Sequence, residues 1–534
     1  MAGKDGDRFM AELIQREDSL NTGREKLNEA IKASDRAESN SDYAVGTAET
    51  ALSNSESTQT QLDTIVIDGD SSVEAAQARV DADGNTYSTL KDRLDEKETE
   101  FSSKLARTMN GINNTQPVKT PVGFNWIDHP LKNKIFTDAN GNFFLKDFNI
   151  RRFKPKGKIY YVDVNNGSDA NDGLTLNTAL QSVKAAFDKS DCTVIKVAEG
   201  FYNREQSMWG RTINKNLSIE ALPGHDVLLT QVAKANWQPT EGRSGVYQTS
   251  SSNVQFILDI NFKDANGDFL KLTKVSTADE VEANPGSYAL VSGVIYVKTT
   301  DSRVVDNETI WRFTDADAIK IEGNYTLYLE GIKMYGGNRP LYASNSEGVG
   351  SLRVFAKDCD FKYSNNETYD VVHIRGAELV IFENCSATNG LKDGFNYYTQ
   401  HGVPTNAIEI NCVGKNNGNE EDGNDQGSTQ HSGGKIIRIN GDYNNNYGSN
   451  IADDGAGTQS WNLGCISFKS LSPYPSQKKN YYAYTEVDMW LDGCLGFDVG
   501  DNGSDVGGNG NIYIRNINLL SATQVDESST VIEY

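Results

Sequence analysis

A short pattern of apolar and polar positions returns at a nearly constant interval between residues 325 and 494. In each copy, an alternating or β-branched run such as 378–382 or 435–439 is followed closely by a small residue. These small residues lie 24 to 29 residues apart, at Gly331, Cys359, Cys385, Cys412, Gly441, Cys465 and Cys494. A fixed period of this size is typical of a solenoid. Because no repeat contains an apolar stripe of helix length, the pattern predicts a mainly β fold, a parallel β-helix. Two packed sheets of a β-sandwich with accidental spacing are the alternative.

The first part of the chain follows a seven-residue period instead. One column of this heptad pattern consists of Leu13, Leu20, Leu27, Ser34, Ser41, Ala48, Ser55 and Leu62. Heptads sustained over this length predict an α-helical coiled-coil stalk at residues 1–66. The middle of the seam is rich in Ala and Ser and therefore slim, so a single amphipathic helix docked on another domain remains the alternative.

The remaining chain divides into four predicted parts. Residues 67–110 form a linker with a second helical segment, and residues 111–157 form a small β neck. The β-helix body spans residues 158–500, with a β insertion at about 236–315 where the period lapses. Within the body, Ala179, Val183, Ala186 and Phe187 fall on one face of a helix-like stretch, which is suited to covering the first coil. Residues 501–534 supply one more strand and the end of the sequence.

Composition narrows the choice of partners. The 534 residues carry a formal net charge of −23, which argues against a nucleic acid or an anionic membrane surface as the partner. The six cysteines include no CxxC pair or Cys/His cluster, so we expect buried free thiols rather than zinc ligands. No stretch approaches a transmembrane span and no apolar signal segment is present, so we expect a soluble protein without membrane insertion.

Four segments that precede the apolar strands carry the candidate chemistry. Like positions stack between coils, so strands near 370–375, 393–398, 427–431 and 450–454 would gather acids, amides, two histidines and tyrosines on one outward face. The candidate catalytic residues are Asp393, His431, Asp453 and Asp425. The candidate substrate-binding residues are Asp370, His373, Tyr397, Tyr398, Asp454 and Trp461. Carboxyl groups beside aromatic rings suit glycan cleavage, because hydrolysis takes one carboxyl group as acid and another as base or nucleophile.

Other interpretations of these residues stay open. A lyase would need a base near the sugar C5 and a group that neutralises the adjacent uronate. Cleavage of a teichoic acid phosphodiester would need a metal, and no ligand spacing indicates one. The histidines could be turn residues that bond the backbone, Asp393, Asp453 and Asp454 could be plain turn residues, and Asp425 could be a solvated loop charge. We expect no cofactor, since a Ca²⁺ site at residues 81–84 lacks the ligand spacing of an EF-hand.

Two stretches resemble known proteins in sequence. Residues 73–95, VEAAQARVDADGNTYSTLKDRLD, resemble a segment of tail-associated proteins from phages of Gram-positive bacteria, where it links a coiled stalk to a distal module. Residues 158–202, from KIYYVD through an Asp/Gly loop and a helix to VAEGFY, resemble the start of a right-handed parallel β-helix of the pectate-lyase-like superfamily. In layout, residues 73–494 resemble phage tail spikes and the pre-neck appendage proteins of podoviruses that infect Gram-positive hosts.

The resemblance implies a setting but no catalytic motif. It implies a homotrimer in the virion, made in the host cytoplasm, attached through the N-terminal stalk and directed at a host cell-surface polysaccharide or wall teichoic acid. One expected function is a depolymerase that acts during adsorption, either a glycoside hydrolase or a polysaccharide lyase. The other is a receptor-binding spike that holds the same glycan without cutting it. A secreted bacterial polysaccharide lyase fits less well, because of the stalk and the missing signal segment.

Overall fold

The computed structural model describes residues 115–251, 254–313, 315–348, 351–365, 367–421, 423–526 and 529–534. Contacts group Gln116–Tyr534 into one unit. The predicted coiled-coil stalk, the linker and the turn at 81–84 lie outside the described residues. Among the described residues, no helix is both long and apolar enough to cross a membrane.

The repeats fold into three parallel sheets, and successive coils add one strand to each sheet. Sheet A has twelve strands. Along the solenoid they are Lys158–Val162, Cys192–Val197, Leu217–Ala221, Thr326–Glu330, Arg353–Lys357, Leu379–Glu383, Asn406–Ile410, Lys435–Ile439, Gln459–Leu463, Asp488–Asp492, Asn511–Arg515 and Thr530–Glu533.

Sheets B and C complete each coil. Sheet B contains Gly200–Tyr202, Val227–Thr230, Ile332–Tyr335, Asp360–Lys362, Ser386–Thr388, Val413–Lys415, Asp442–Asn444, Ile466–Phe468, Leu495–Phe497 and Asn518–Leu519. Sheet C contains Ile319–Glu322, Leu341–Ser344, Val372–Arg375, Phe395–Tyr398, Ser428–His431, Ile451–Asp454, Lys479–Ala483 and Ser504–Gly508. Within one coil the chain runs from sheet C to sheet A to sheet B, and each strand pairs in parallel with its equivalent in the next coil. This pairing confirms the parallel β-helix and excludes the sandwich.

The repeated small residue follows a corner that needs left-handed backbone. The residue after a sheet A strand has φ between 52° and 63° at Asp358, Asn384, Asn411, Asn440, Gly464 and Gly493. Asn, Asp and Gly tolerate this conformation best, which explains their recurrence just before the small residue. Five of the small residues that follow are buried cysteines with free thiols, as predicted.

The prediction for the first repeat is wrong by one residue. Gly331 is itself left-handed, with φ 69°, and stands in register with Asp358. Ile332 therefore occupies the position that Cys359 holds in the next coil. The sequence alone could not separate these two registers, because glycine fits both positions.

The inside of the solenoid is filled by apolar side chains from all three sheets. One cluster extends from Tyr160 to Ile436, and a second, from Tyr443 to Ile512, fills the later coils. The helix predicted at the first coil is present in two pieces, a 3₁₀ turn at Leu176–Thr178 and an α-helix at Val183–Phe187. Ser182 caps the α-helix with a hydrogen bond from the Ala185 N–H, and the buried face of the helix packs on the first strands.

Residues 116–153, here called the cover segment, lie along the outward face of sheet A. The segment contains a small antiparallel sheet, Gln116–Pro117, Ile135–Thr137 and Phe143–Leu145, and a 3₁₀ turn, Ile150–Phe153. Its apolar side chains pack on one outward column of sheet A, whose members are at most 2% exposed. That column consists of Tyr328, Phe355, Ile381, Ile408, Ile437, Trp461 and Trp490.

The β insertion forms two sheets of its own. The five-stranded sheet has the order Thr273–Lys274, Ser287–Val291, Val294–Lys298, Tyr247–Ser250 and Gln238–Pro239. The three-stranded sheet has the order Phe269–Lys271, Leu258–Lys263 and Ile310–Trp311. A short helix, Ala278–Ala283, accompanies them. An ion pair of 2.8 Å between Asp268 and Lys362 ties the insertion to a strand of sheet B.

Candidate functional site

Two columns of outward side chains cross the middle of sheet C. The strand pairing sets their register, and the first column reads Tyr342, His373, Asn396, Thr429, Ala452 and Tyr482. The second column reads Ser344, Arg375, Tyr398, His431 and Asp454. The side chains that alternate with them, such as Val372, Phe395 and Ile451, belong to the interior clusters. Apart from Ala452, the outward positions are therefore polar or aromatic, and most of the side chains that alternate with them towards the interior are apolar.

Three of the predicted site residues do not lie on this face. Tyr397 and Asp453 alternate with Tyr398 and Asp454, so they point inward, and both are 0% exposed. Trp461 belongs to sheet A, where the cover segment buries it completely. The expectation that these three side chains line the outward face is thus corrected. The sequence indicates where a strand lies more readily than which of two adjacent polar or aromatic residues faces outward.

The Asp453 carboxylate forms an ion pair inside the solenoid. Arg438 reaches across from sheet A and donates to both carboxylate oxygens, at 3.0 and 2.8 Å. Asp453 Oδ1 also accepts the backbone N–H of Gln430 at 3.0 Å. Both charged side chains are fully buried, which proteins tolerate when the charges are paired and hydrogen-bonded in this way. Asp453 therefore braces the strand that ends in His431 from behind.

Asp393 is a buried carboxyl group at the start of the strand Phe395–Tyr398. It is 3% exposed. Its Oδ1 accepts the backbone N–H of Gln426 at 2.8 Å, and its Oδ2 accepts the Asn396 amide at 2.6 Å. Burial raises the pKa of Asp393 well above the usual range, and the carboxyl groups of Asp370 and Asp425 raise it further. Asp393 therefore holds its proton at a pH at which an exposed aspartate is ionised.

Asp370 and His373 form a pair in the coil before Asp393. His373 Nδ1 lies 2.5 Å from Asp370 Oδ2, which fixes the orientation of the imidazole. The His373 ring centre is 5.8 Å from those of both Tyr342 and Tyr398, and its side chain is 12% exposed. An imidazole oriented by a carboxylate in this way is suited to accept or donate a proton through its other nitrogen.

Tyr398 and His431 stack face to face beside this pair. Their ring centres are 3.9 Å apart and their planes differ by 7°. Burial raises the pKa of Tyr398 to about 12, with further contributions from Asp393, Asp370 and Asp454, so the phenol stays protonated. Asp454 Oδ2 lies 3.8 Å from His431 Nδ1, and this histidine lowers the pKa of the carboxyl group. The partly exposed edges of these rings offer a flat surface with polar tips, which suits a sugar ring.

Asp425 lies in a loop that borders the face. Its Oδ1 is 2.8 Å from Lys392 Nζ, and its Oδ2 accepts the Asn419 N–H at 3.1 Å. Asp425 is 0% exposed, so it is a fixed part of the loop rather than a solvated charge. Its contribution to this region is electrostatic, because its carboxylate raises the pKa of Asp393.

Three side chains of the face were not among the candidate site residues named from the sequence. Tyr342 stands next to His373, Asn396 follows His373 in the first column, and Arg375 is adjacent to Tyr398 in the second. The register of the strands would have indicated them, because each lies one coil from a predicted residue. Tyr342 and Arg375 would have been found by extending each predicted column by one coil towards the N-terminus.

The described residues contain no group of three or more His, Cys, Asp or Glu side chains that could hold a metal ion. The acids of this face are engaged by protein donors instead. Asp370 pairs with a histidine, Asp425 with a lysine, and Asp393 with an amide and a backbone N–H. The arrangement can hold a sugar ring and move protons with the chain's own groups.

No protein-family model matches the chain, and no curated protein matches its sequence. Among solved structures, it is similar to a glycoside hydrolase, with 9% identity and a TM-score of 0.45 over 70% of this chain and 96% of that chain. It is also similar to a pectate lyase, with 12% identity and a TM-score of 0.32 over 70% and 74% of the two chains. A third similar structure is a tailspike of Pseudomonas phage phi297, with 11% identity and a TM-score of 0.24 over 65% and 67%. The assignment of a parallel β-helix rests on the strand pairing.

Proposed function

We propose that the outward face of sheet C binds a cell-surface polysaccharide and cleaves it. The observation that carries the proposal is the buried Asp393, whose raised pKa keeps it protonated close to the Asp370–His373 pair. A group that holds its proton and a second group that accepts one are the two components that glycosidic bond cleavage needs. The stacked rings of Tyr398 and His431 are the surface on which the sugar rests.

In the hydrolytic reaction, Asp393 donates its proton to the glycosidic oxygen while the bond from that oxygen to the anomeric carbon breaks. His373, held by Asp370, accepts a proton from the attacking water, whose oxygen forms the new bond to the anomeric carbon. The proton on His373 then returns through solvent to Asp393, so both groups are restored. In the lyase reaction, His373 removes the proton at C5 and Asp393 protonates the leaving oxygen, which forms an unsaturated sugar.

A receptor-binding spike that holds the glycan without cutting it is the second candidate. One observation favours it: Asp393 is only 3% exposed, and both its oxygens already have partners. A carboxyl group in this position has to exchange those partners before it meets a glycosidic oxygen. Binding alone makes no such demand, because the rings of Tyr398 and His431 and the half-exposed Asp454 already face outward.

The setting we propose is the virion of a phage that infects Gram-positive bacteria. The support is the resemblance of residues 73–95 and of the overall layout to tail spikes and pre-neck appendage proteins. In this setting three copies of the chain form a spike that is attached to the particle through residues 1–66. The ligand is a host polysaccharide or a wall teichoic acid met during adsorption.

The enzymatic proposal is tested with purified protein and host cell-wall glycan, teichoic acid and exopolysaccharide. New reducing ends, unsaturated uronate absorbance and released phosphate are followed in parallel. Asp393→Asn should lower the rate about 10²- to 10⁴-fold, the usual loss when a general acid is removed, without weakening glycan binding. Asp442→Asn, on the outward side of sheet B, is the matched control and should keep the parental rate.

Each outcome of this assay separates the two candidates. Parental turnover by Asp393→Asn would contradict the role of Asp393. If the parental protein gives no signal in any of the three measurements but still binds to host cells, the receptor-binding spike would be established instead.

A further inference from the structure

Arg375 is a cation without a carboxylate partner on the outward face of sheet C. It stands in the second column between Ser344 and Tyr398. Its guanidinium carbon lies 5.8 Å from the Tyr398 ring centre. Within the part of the chain that the structure describes, no acidic side chain lies within 4.0 Å of this guanidinium, and its buried Nε has no hydrogen-bond partner.

Most other arginines among the described residues have a carboxylate within 4.0 Å, although Arg152 and Arg312 do not. Arg339 pairs with Asp317 at 2.7 Å, and Arg353 pairs with Glu378 at 2.9 Å. The chain holds 74 acidic and 51 basic residues, so carboxylates are plentiful. A structural role explains Arg375 poorly, because stacking of a partly exposed guanidinium on a tyrosine is a weak contact.

The carboxylates of this region each have a partner other than Arg375. The Asp370 carboxylate is held by His373, and the Asp425 carboxylate is paired with Lys392. Asp454 lies against His431, at the other end of the same column. The guanidinium of Arg375 is therefore left without a carboxylate partner, next to Tyr398 near one end of the second column.

We propose that Arg375 binds an anionic group of the glycan, so that this face takes a polysaccharide with a carboxylate or phosphate in its repeating unit. The inference rests on the proposed function, because it names the class of glycan that the same face holds. A guanidinium donates two parallel N–H groups to two oxygens of a carboxylate or a phosphate, a geometry that lysine cannot reproduce. The stack of Tyr398 and His431 then holds the sugar next to its anionic substituent.

The test measures binding of the full chain to four polymers by titration calorimetry. Polygalacturonate carries carboxylates and poly(glycerol phosphate) carries phosphates. Carboxyl-reduced polygalacturonate and dextran are the neutral probes. We expect at least tenfold tighter binding of one anionic polymer than of either neutral probe, and weaker binding as the salt concentration rises. Which anionic polymer binds distinguishes the uronate from the polyol phosphate.

Variants assign the preference to the residue. Arg375→Gln should lower the affinity for the preferred anionic polymer at least tenfold, and Arg375→Lys should fall between it and the parent. Arg353→Gln, which removes an arginine that is paired outside the two columns, is the control and should bind as the parent does. An unchanged affinity in Arg375→Gln, equal binding of anionic and neutral probes, or no binding of any probe overturns the inference. Turnover of a neutral polymer in the assay above would still support the proposed function.

Discussion

Sheets A and C are built by the same coils, yet their outward faces have opposite characters. On sheet A the outward column from Tyr328 to Trp490 is apolar or aromatic, and the cover segment leaves at most 2% of each residue exposed. On sheet C the outward positions hold His373, Tyr398 and His431, with side-chain exposures of 12% and 14% for the two histidines. The repeat therefore dictates the interior and the corners of the solenoid. The outward side chains can differ from sheet to sheet. On sheet A they pack against the cover segment, and on sheet C they form the candidate site.

The largest expected effect on stability comes from shortening a side chain in the outward column of sheet A. Trp461→Ala removes a completely buried ring from between sheet A and the cover segment, and loss of a buried tryptophan costs about 3–5 kcal/mol of unfolding free energy. Tyr398→Ala on sheet C should cost about 1 kcal/mol, because its ring is only partly covered. Urea unfolding followed by far-UV circular dichroism gives both values. Equal losses would contradict the distinction between the two faces.

Acid should weaken the packing of the cover segment on sheet A, because it protonates His129 of that segment. This histidine is 3% exposed, and neither ring nitrogen has a hydrogen-bond partner in the described part of the chain. Burial, with a smaller contribution from Lys132, lowers the pKa of His129 from about 6.5 to about 4 despite the opposing effect of Asp128. The folded state thus prefers the neutral ring. The stability that depends on a neutral His129 is fully present above pH 6.5. As the pH falls below 6.5, the free energy of unfolding decreases, and at pH 4 the loss is about 3 kcal/mol.

The measurement compares wild type with His129→Leu, which cannot be protonated. Urea unfolding at pH 7.5 and pH 4 should show a loss that is about 3 kcal/mol larger for wild type than for the variant. Carboxyl groups titrate in both proteins, so their contribution cancels in the difference. The same pH dependence in both proteins would show that His129 does not titrate as a buried group.

The smallest effect is expected at a corner of the solenoid, between a strand of sheet A and a strand of sheet B. Asn411 has φ 52° and donates through its side-chain amide to Asn384 Oδ1 at 3.0 Å. Asn411→Ala should destabilise the fold by about 1–2 kcal/mol more than Asn411→Gly, because glycine adopts the left-handed conformation without strain. Both variants lose the side-chain hydrogen bond, so their difference in unfolding midpoint isolates the backbone. Equal stability of the two variants would show that the corner is not strained.

The fold was predictable because its signal is repeated. Each coil carries the same alternation of apolar residues and the same Asn, Asp or Gly corner, so an error in one copy, such as the one-residue shift at Gly331, leaves the architecture unchanged. The cover segment was not predicted to lie on sheet A, since Phe124 and Trp461 are separated by more than three hundred residues. Only the fold shows that their rings meet, at 6.0 Å between centres.

The site was predictable only in part, because its signal is not repeated. The segments that carry His373, Asp393, Tyr398 and His431 do converge on one region of sheet C. What the sequence did not show is which of two adjacent residues in a strand points inward. Asp453 can lie inside the solenoid because Arg438 forms an ion pair with it there. No local sequence pattern indicates that pairing. Arg375 was overlooked for the complementary reason, as a lone arginine in a strand has no distinctive spacing.

The central claim is that the outward face of sheet C is where the glycan lies. Hydrogen–deuterium exchange of the full chain, with and without host cell-surface polysaccharide, tests it most directly. Strands Val372–Arg375, Phe395–Tyr398 and Ser428–His431, together with the loop that carries Asp425, should gain protection on binding, while the cover segment and the insertion should not change. Protection confined to the insertion or to the cover segment, with sheet C unaffected, would contradict the account.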